Sequence, residues 1–386
     1  MLEKIGKRIS SLLILFTIGA SYTIWLLGIY HPLIIPWFSH SAYYIGGVAL
    51  LVLALNWRKL QLFDVFWLLL ALGDTVLNLF TAEFRHAETF DMSILPAVIL
   101  LLVLACKING FDQLDRVLLL GINLGILALM LYRLFKHLFN SGLINRFFSL
   151  DNTLEVIWIN VNVIGAVILF AVVTGSILLR SFHKKALDLL VWPLYLVGLA
   201  GTWGCQSRTS FLILLSFILV DNLLPKSFFG QHKFWLWLFP LFFILTPFVS
   251  YFIAQSETIN IFTGRENIWR AFFGEWLTSK QAILAGRPPF LYSAKLLSTH
   301  NSYLYLLCNF GVIGYTFLFA AFSGYLLRLK NKVKTLSRYQ VSLLFAFFLT
   351  LFYGLMEDSL LVIQWTPILF AFLGLALSDE AEISQN

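Results

Sequence analysis

The chain has 386 residues, of which 59% are hydrophobic and 12% charged, and its mean hydropathy is +0.83. Soluble domains carry about 25% charged residues, so water cannot be the solvent for most of this surface, and lipid is expected in its place. The net charge of +7 then reads as a topology signal and an attraction to anionic headgroups, not as a footprint for nucleic acid.

A helix needs about 20 apolar residues to cross the hydrocarbon layer. In chain order, apolar runs lie near 10–30, 41–56, 63–82, 92–106, 117–135 and 157–179. Six more lie near 186–204, 209–224, 234–254, 302–327, 341–356 and 360–377. The expected fold is an all-α integral membrane protein, one domain over 1–386, with about twelve transmembrane helices. Basic Lys4, Lys7 and Arg8 precede the first run without a small-residue cleavage site, so that run reads as a retained span. Cys106, Cys205 and Cys308 lack CxxC or metal spacing and read as small apolar core residues. Asp74 falls mid-span, where an acid is a functional candidate, or a partner for Asn78 one turn on.

The basic residues orient the runs. With the N-terminus in the cytoplasm, 17 of the 27 Lys and Arg fall inside, and both termini are cytoplasmic. The outside exceptions gather at Arg208, in a short turn, and at Arg265, Arg270, Lys280, Arg287 and Lys295, in the long loop 255–300. Within that loop Thr263-Gly264-Arg265-Glu266 has the pattern of a capping box. Ile268, Trp269, Phe272, Phe273, Trp276 and Leu277 then recur at helical spacing, as in an interfacial amphipathic helix that Gly286-Arg287-Pro288-Pro289 would break.

Arg208, Arg265 and Arg287 therefore collect at the outer rim. Guanidinium forks bind phosphate oxygens bidentately and stay charged, which suits a lipid-linked diphosphate. His300, at the start of a span, can take a proton from a hydroxyl nucleophile. Arginines at span ends also snorkel to headgroups, and an interfacial histidine is often only a satisfied polar residue. His31, His40, His86 and His137 show no ligand spacing with a carboxylate.

Three stretches together resemble the O-antigen ligase and polymerase superfamily of membrane glycosyltransferases. They are Gln206-Ser207-Arg208-Thr209-Ser210, Thr263-Gly264-Arg265-Glu266-Asn267-Ile268-Trp269, and Thr299-His300-Asn301-Ser302-Tyr303-Leu304, which leads to Gly311 and Gly314. The matched part covers roughly 200–330. The resemblance implies transfer of a glycan from undecaprenyl diphosphate at the periplasmic face of the bacterial inner membrane. The acceptor would be lipid A-core for a ligase, or a lipid-linked repeat for a polymerase. It implies no metal and no cofactor. By motif, Arg208 and Arg265 would hold the diphosphate, with Arg287 on a looser match. His300 would activate the acceptor hydroxyl, and Asn301 would position His300 or the substrate. Glu357 or Asp358, at an acidic position found in some members, would orient His300 or pair with an arginine.

Polymerases of this class carry Arg-x10-Gly patterns in two sizeable outside loops. Here the residues eleven beyond Arg265 and Arg287 are Trp276 and Ser298, and the loop 136–156 is short, which favours a ligase. A transporter of the same lipid-linked glycan is the alternative from another class. It would need polar residues lining a midplane cavity, and the span candidates are few: Asp74, Asn78, Asn123, Asn160 and Asn162.

Overall fold

The structure is a computed structural model that describes residues 2–28, 31–81, 90–140, 161–256, 262, 264–287, 290, 292, 298–360 and 362–379. Among the described residues the chain is helical and contains no strand. In chain order the helices are α1 (Leu2–Leu27), α2 (Ile35–Ser39), α3 (Ser41–Leu55), α4 (Leu62–Phe80), α5 (Phe90–Asn109), α6 (Gln113–Asn140), α7 (Val161–Ser181) and α8 (Lys185–Gly204). They continue as α9 (Arg208–Leu223), α10 (Lys226–Gln231), α11 (Leu238–Gln255), α12 (Arg265–Trp276), α13 (Lys280–Ala285), α14 (Ser302–Leu329), α15 (Arg338–Tyr353) and α16 (Thr366–Ala376).

Among the described residues each apolar run of the sequence falls on a helix, and seven helical segments are long and apolar enough to cross a membrane. The surface agrees with lipid as solvent: Leu62 is 86% exposed, Leu223 71% and Phe252 69%, where a water-soluble protein would hide large apolar side chains. At the centre lies α7. Val167, Ile168, Leu169, Phe170, Ala171 and Val172 are each at most 1% exposed, which is the mark of a helix covered on all sides. The three cysteines are buried and unpaired by disulfides.

Two polar ends bracket this apolar body. At one end Arg8 of α1 donates to Asp115 at 2.6 Å and to Asp112 at 3.0 Å. At the other, Arg133 of α6 donates to the Leu26 carbonyl. Both links join residues 107 apart in sequence, so α1 and α6 run parallel in constant register. From Arg8 to Leu26 that is about 27 Å at 1.5 Å per residue, close to the roughly 30 Å of hydrocarbon in a bilayer.

The first end is also tied by Asn56 to Ser10 at 2.9 Å, Lys107 to Asp64 at 2.7 Å and the Tyr325 hydroxyl to Asp64 at 2.8 Å. Arg180 pairs there with Asp221, which also accepts from Ser342 at 2.8 Å. Asp64 is fully buried, so removing Lys107 would leave a charge without its partner, a loss of about 3–5 kcal/mol for buried pairs. The second end is tied by Gln364 to Ser41 at 3.1 Å, by the Ser302 amide to the Gly354 carbonyl at 2.7 Å, and by Arg270 to the Ala254 carbonyl at 2.7 Å. Each ion pair among the described residues joins segments that the charge count assigns to one side of the membrane.

Several boundaries differ from the sequence reading, each for a local reason. The first helix takes in Lys4, Lys7 and Arg8 and ends where Gly28 adopts φ +91°, a left-handed stop. The last helix begins at Thr366 rather than near 360, with Pro367 in its first turn, where a missing amide costs nothing. The amphipathic helix in the long loop stops at Trp276, ten residues before Gly286, and α13 follows with Ser279 as its cap. Its N-cap is Gly264 at φ +86°, and Glu266 reaches back to the Phe262 amide at 2.5 Å. Thr263, the expected cap, lies outside the described residues, as do His86, Arg146, Asn160, Pro288, Pro289 and Lys295.

Candidate active site

The apolar stripe of α12 explains how the long loop is held. Ile268, Trp269, Phe272, Phe273 and Trp276 are buried, whereas Leu277, expected on the same face, is 48% exposed. The Trp269 indole donates to the Thr299 carbonyl at 3.0 Å, and the Arg270 guanidinium donates to the Ala254 and Ser256 carbonyls. The helix is thereby fastened to the end of α11 and to the start of the His300 segment. Fastened this way, α12 brings Arg265 over the connection between α15 and α16, where Arg265 Nη2 meets Glu357 Oε1 at 3.0 Å.

His300 sits on the short segment that enters α14. Its φ is +47°, a left-handed conformation uncommon in non-glycine residues and concentrated at functional sites. Neighbours hold it there. Its amide donates to Ser298 Oγ at 3.2 Å. The next amide, Asn301 N, donates to Asp358 Oδ1 at 2.9 Å. The Asn301 side chain turns the other way and caps α14, accepting from the Tyr303 and Leu304 amides at 3.0 and 3.1 Å. Ser302 closes the joint, donating to the Glu357 carbonyl at 2.7 Å.

In this setting His300 Nδ1 faces Glu357 Oε2 at 3.8 Å. That is beyond hydrogen-bond distance but within electrostatic reach. The Glu357 carboxylate, with Asp358 beside it, holds the imidazolium above its ordinary value, while burial and Arg265 oppose. Burial pushes the Asp358 carboxyl up, against the Ser298 hydroxyl and His300. A proton on Nδ1, the nitrogen that faces Glu357, would leave Nε2 as the acceptor, the tautomer a general base requires.

Glu357 has a third partner. Asn162, in the first turn of α7, donates Nδ2 to Glu357 Oε1 at 2.7 Å and accepts from Ser207 Oγ at 3.2 Å. Ser207 precedes Arg208, which heads α9 and is exposed. The Arg208 side chain enters no ion pair among the described residues. Gln206, just upstream, is another of the non-glycine residues at positive φ, at +58°.

Of the residues singled out in the sequence, Arg265, His300, Asn301, Glu357 and Asp358 therefore converge, and Arg208 is connected to them through its chain neighbour Ser207 and Asn162. Glu357 touches both groups, with Oε1 on Arg265 at 3.0 Å and Oε2 facing His300 at 3.8 Å. Asp358 instead fixes the backbone at Asn301. Arg287 stands apart: its guanidinium pairs with Glu275 at 2.5 Å, and its amide donates to the Cys308 carbonyl at 2.7 Å. Cys308 is six residues into α14, about 9 Å along it from Ser302. Asn162, Ser207 and Thr299 complete the cluster without having been read as site residues. Asp74 is bonded to Asn78 at 2.9 Å, the pairing that their one-turn spacing allows. The chain matches no protein-family model, no curated protein and no solved structure.

Proposed function

We propose that this chain is a membrane glycosyltransferase that moves a glycan from undecaprenyl diphosphate to an acceptor hydroxyl at the periplasmic face of the bacterial inner membrane. The observation that carries this reading is the single carboxylate of Glu357 between Arg265 and His300. His300 Nε2 takes the proton of the acceptor hydroxyl while that oxygen bonds to the anomeric carbon. The bond from that carbon to the diphosphate breaks, and the electron pair leaves on the diphosphate. Arg208 and Arg265 stabilise the negative charge that develops there. Attack opposite the leaving group inverts the anomeric centre. No metal or cofactor takes part.

In the accompanying topology the chain crosses the membrane about twelve times, with both termini in the cytoplasm and the loop 255–300 in the periplasm. The tally of basic residues supports that orientation. The Trp276 and Ser298 positions favour ligation onto lipid A-core over polymerisation. Deletion followed by gel separation of envelope glycans tests the glycosyl-transfer reading. Lipid A-core without polymer, while polymer accumulates on the carrier lipid, is the ligase result. Core bearing a single repeat is the polymerase result. An unchanged glycan profile defeats both.

A further inference from the structure

The geometry points to Asn162 as a positioning residue that holds Glu357 toward His300 independently of Arg265. This rests on the glycosyl-transfer reading and extends it to a residue far from the recognised motifs.

A carboxylate only accepts hydrogen bonds, so the Asn162 atom 2.7 Å from Glu357 Oε1 is its NH2 group. Arg265 Nη2 lies 3.0 Å from the same oxygen. Both contacts fall on Oε1, and Oε2 is left to face His300. Glu357 thus has two tethers of different character. The guanidinium is a cation that an incoming diphosphate attracts strongly. The amide is neutral and sits in the first turn of α7, whose middle is covered on all sides. Once the donor diphosphate engages Arg265, only the Asn162 tether is indifferent to that charge. It keeps Oε2 on His300 through the proton transfer. The other end of Asn162 is fixed as well: Oδ1 accepts from the Ser207 hydroxyl, which accepts in turn from the Ser210 hydroxyl at 2.8 Å. The charged groups facing His300 are Glu357 and Asp358 on the α15–α16 connection and Arg265 on α12. Asn162 acts on the first of these.

Two substitutions in the full-length protein, purified in lipid nanodiscs, test the role. Asn162→Ala removes both contacts. Asn162→Asp keeps an acceptor for Ser207 but puts a carboxylate against Glu357. Both are expected to lower kcat by roughly tenfold to a hundredfold, the lower part of what a general base contributes. Binding of undecaprenyl diphosphate should stay within about twofold of the unaltered protein, whereas Arg265→Ala should weaken it. The His300 titration, followed by NMR of labelled histidine and assigned with His300→Gln, should move to lower pH in Asn162→Ala. An unchanged His300 midpoint there, or full activity in Asn162→Asp, would overturn the positioning role and reduce Asn162 to a packing contact with Ser207. If the unaltered protein does not bind undecaprenyl diphosphate, the glycosyl-transfer reading fails, and the titration still decides the role of Asn162.

Discussion

Nδ1 of His300 faces Oε2 of Glu357 at 3.8 Å, and that relationship fixes how the site should respond to pH. Glu357 first, then Asp358, raise the His300 imidazolium above its ordinary value. A base works only when neutral. Transfer should therefore rise with pH through a midpoint above the usual ~6.5. Glu357→Gln should move that midpoint down and slow transfer, roughly tenfold to a hundredfold, while His300→Ala should abolish transfer with the protein still accumulating in the membrane. Initial rates across pH 5–9 check this, and a midpoint unmoved in Glu357→Gln would detach the two residues.

The same shift has a consequence for stability. A group whose folded pKa is raised binds protons more tightly when folded, so its contribution is full below the unfolded pKa and disappears as pH rises through the folded pKa. For His300 the thermal midpoint should fall as pH climbs from about 6.5 through the raised value. Asp358, also raised, adds a decline of the same sense in the acid range, beginning near 3.9. Glu357→Gln should flatten the upper decline and reduce the lower one less, because burial is the main cause of the Asp358 shift and the Glu357 charge a smaller one, a pattern that scanning fluorimetry across pH resolves.

Arg208 and Arg265 should respond differently to loss and to conservative change. Arg→Ala at either position should abolish transfer. Arg→Lys should rescue poorly, because a point charge cannot reproduce the two parallel bonds of a guanidinium fork. Arg265→Ala carries a further cost, since Glu357 loses a partner at 3.0 Å. Full activity of both lysine variants would show that only generic charge, or snorkelling to headgroups, is needed there.

How much of this was legible without coordinates depended on whether the signal was local. The helices follow from apolar runs; the capping of α14 by Asn301, expected instead to position His300 or the substrate, does not. The convergence of Arg265, His300 and Glu357 followed from motif resemblance and from the charge tally, which put all three on one side. Asn162 could not be found that way: nothing in the spacing couples it to Glu357, 195 residues later, and a lone asparagine at a span end looks like any other polar residue there. Arg287 shows the limit of position in the loop. It shares the outer loop with Arg265, yet Glu275, twelve residues before it, takes its charge. Only the turn from α12 into α13 brings those two together.

That pair makes a separate prediction. Glu275 is half exposed at 50%, so solvent screens the pair and its worth is about 0–1 kcal/mol. If Arg287 serves mainly to join α12 to α13, Arg287→Glu should impair transfer and Glu275→Arg added to it should restore most of the loss. If Arg287 binds donor diphosphate, the double exchange should rescue nothing. Measuring transfer in both single variants and the double variant decides between them.

α13 and α14 meet at a close joint that depends on two glycines. Gly311 breaks α14 at φ +61° and ψ −166°. The break removes the ordinary helical donor for the Cys308 carbonyl, and the Arg287 amide supplies a substitute at 2.7 Å. The backbones touch. A Cβ at Gly311 would lie 2.3 Å from the Leu284 carbonyl oxygen, and one at Gly286 would lie 2.4 Å from that of Asn309. Both glycines also hold positive φ, Gly286 at +90°. Gly311→Ala and Gly286→Ala should each destabilise the protein by on the order of 2–6 kcal/mol, from steric overlap and backbone strain together. Gly274, exposed on α12 with nothing within 4 Å of an added Cβ, is the matched control. There the change to alanine should be neutral or stabilising by up to about 1 kcal/mol, because alanine favours a helix. Thermal midpoints of the three variants in one detergent make the comparison. A Gly311→Ala midpoint equal to that of Gly274→Ala would mean that α13 can move off α14 at little cost, and that Arg287 is not fixed by the Cys308 carbonyl.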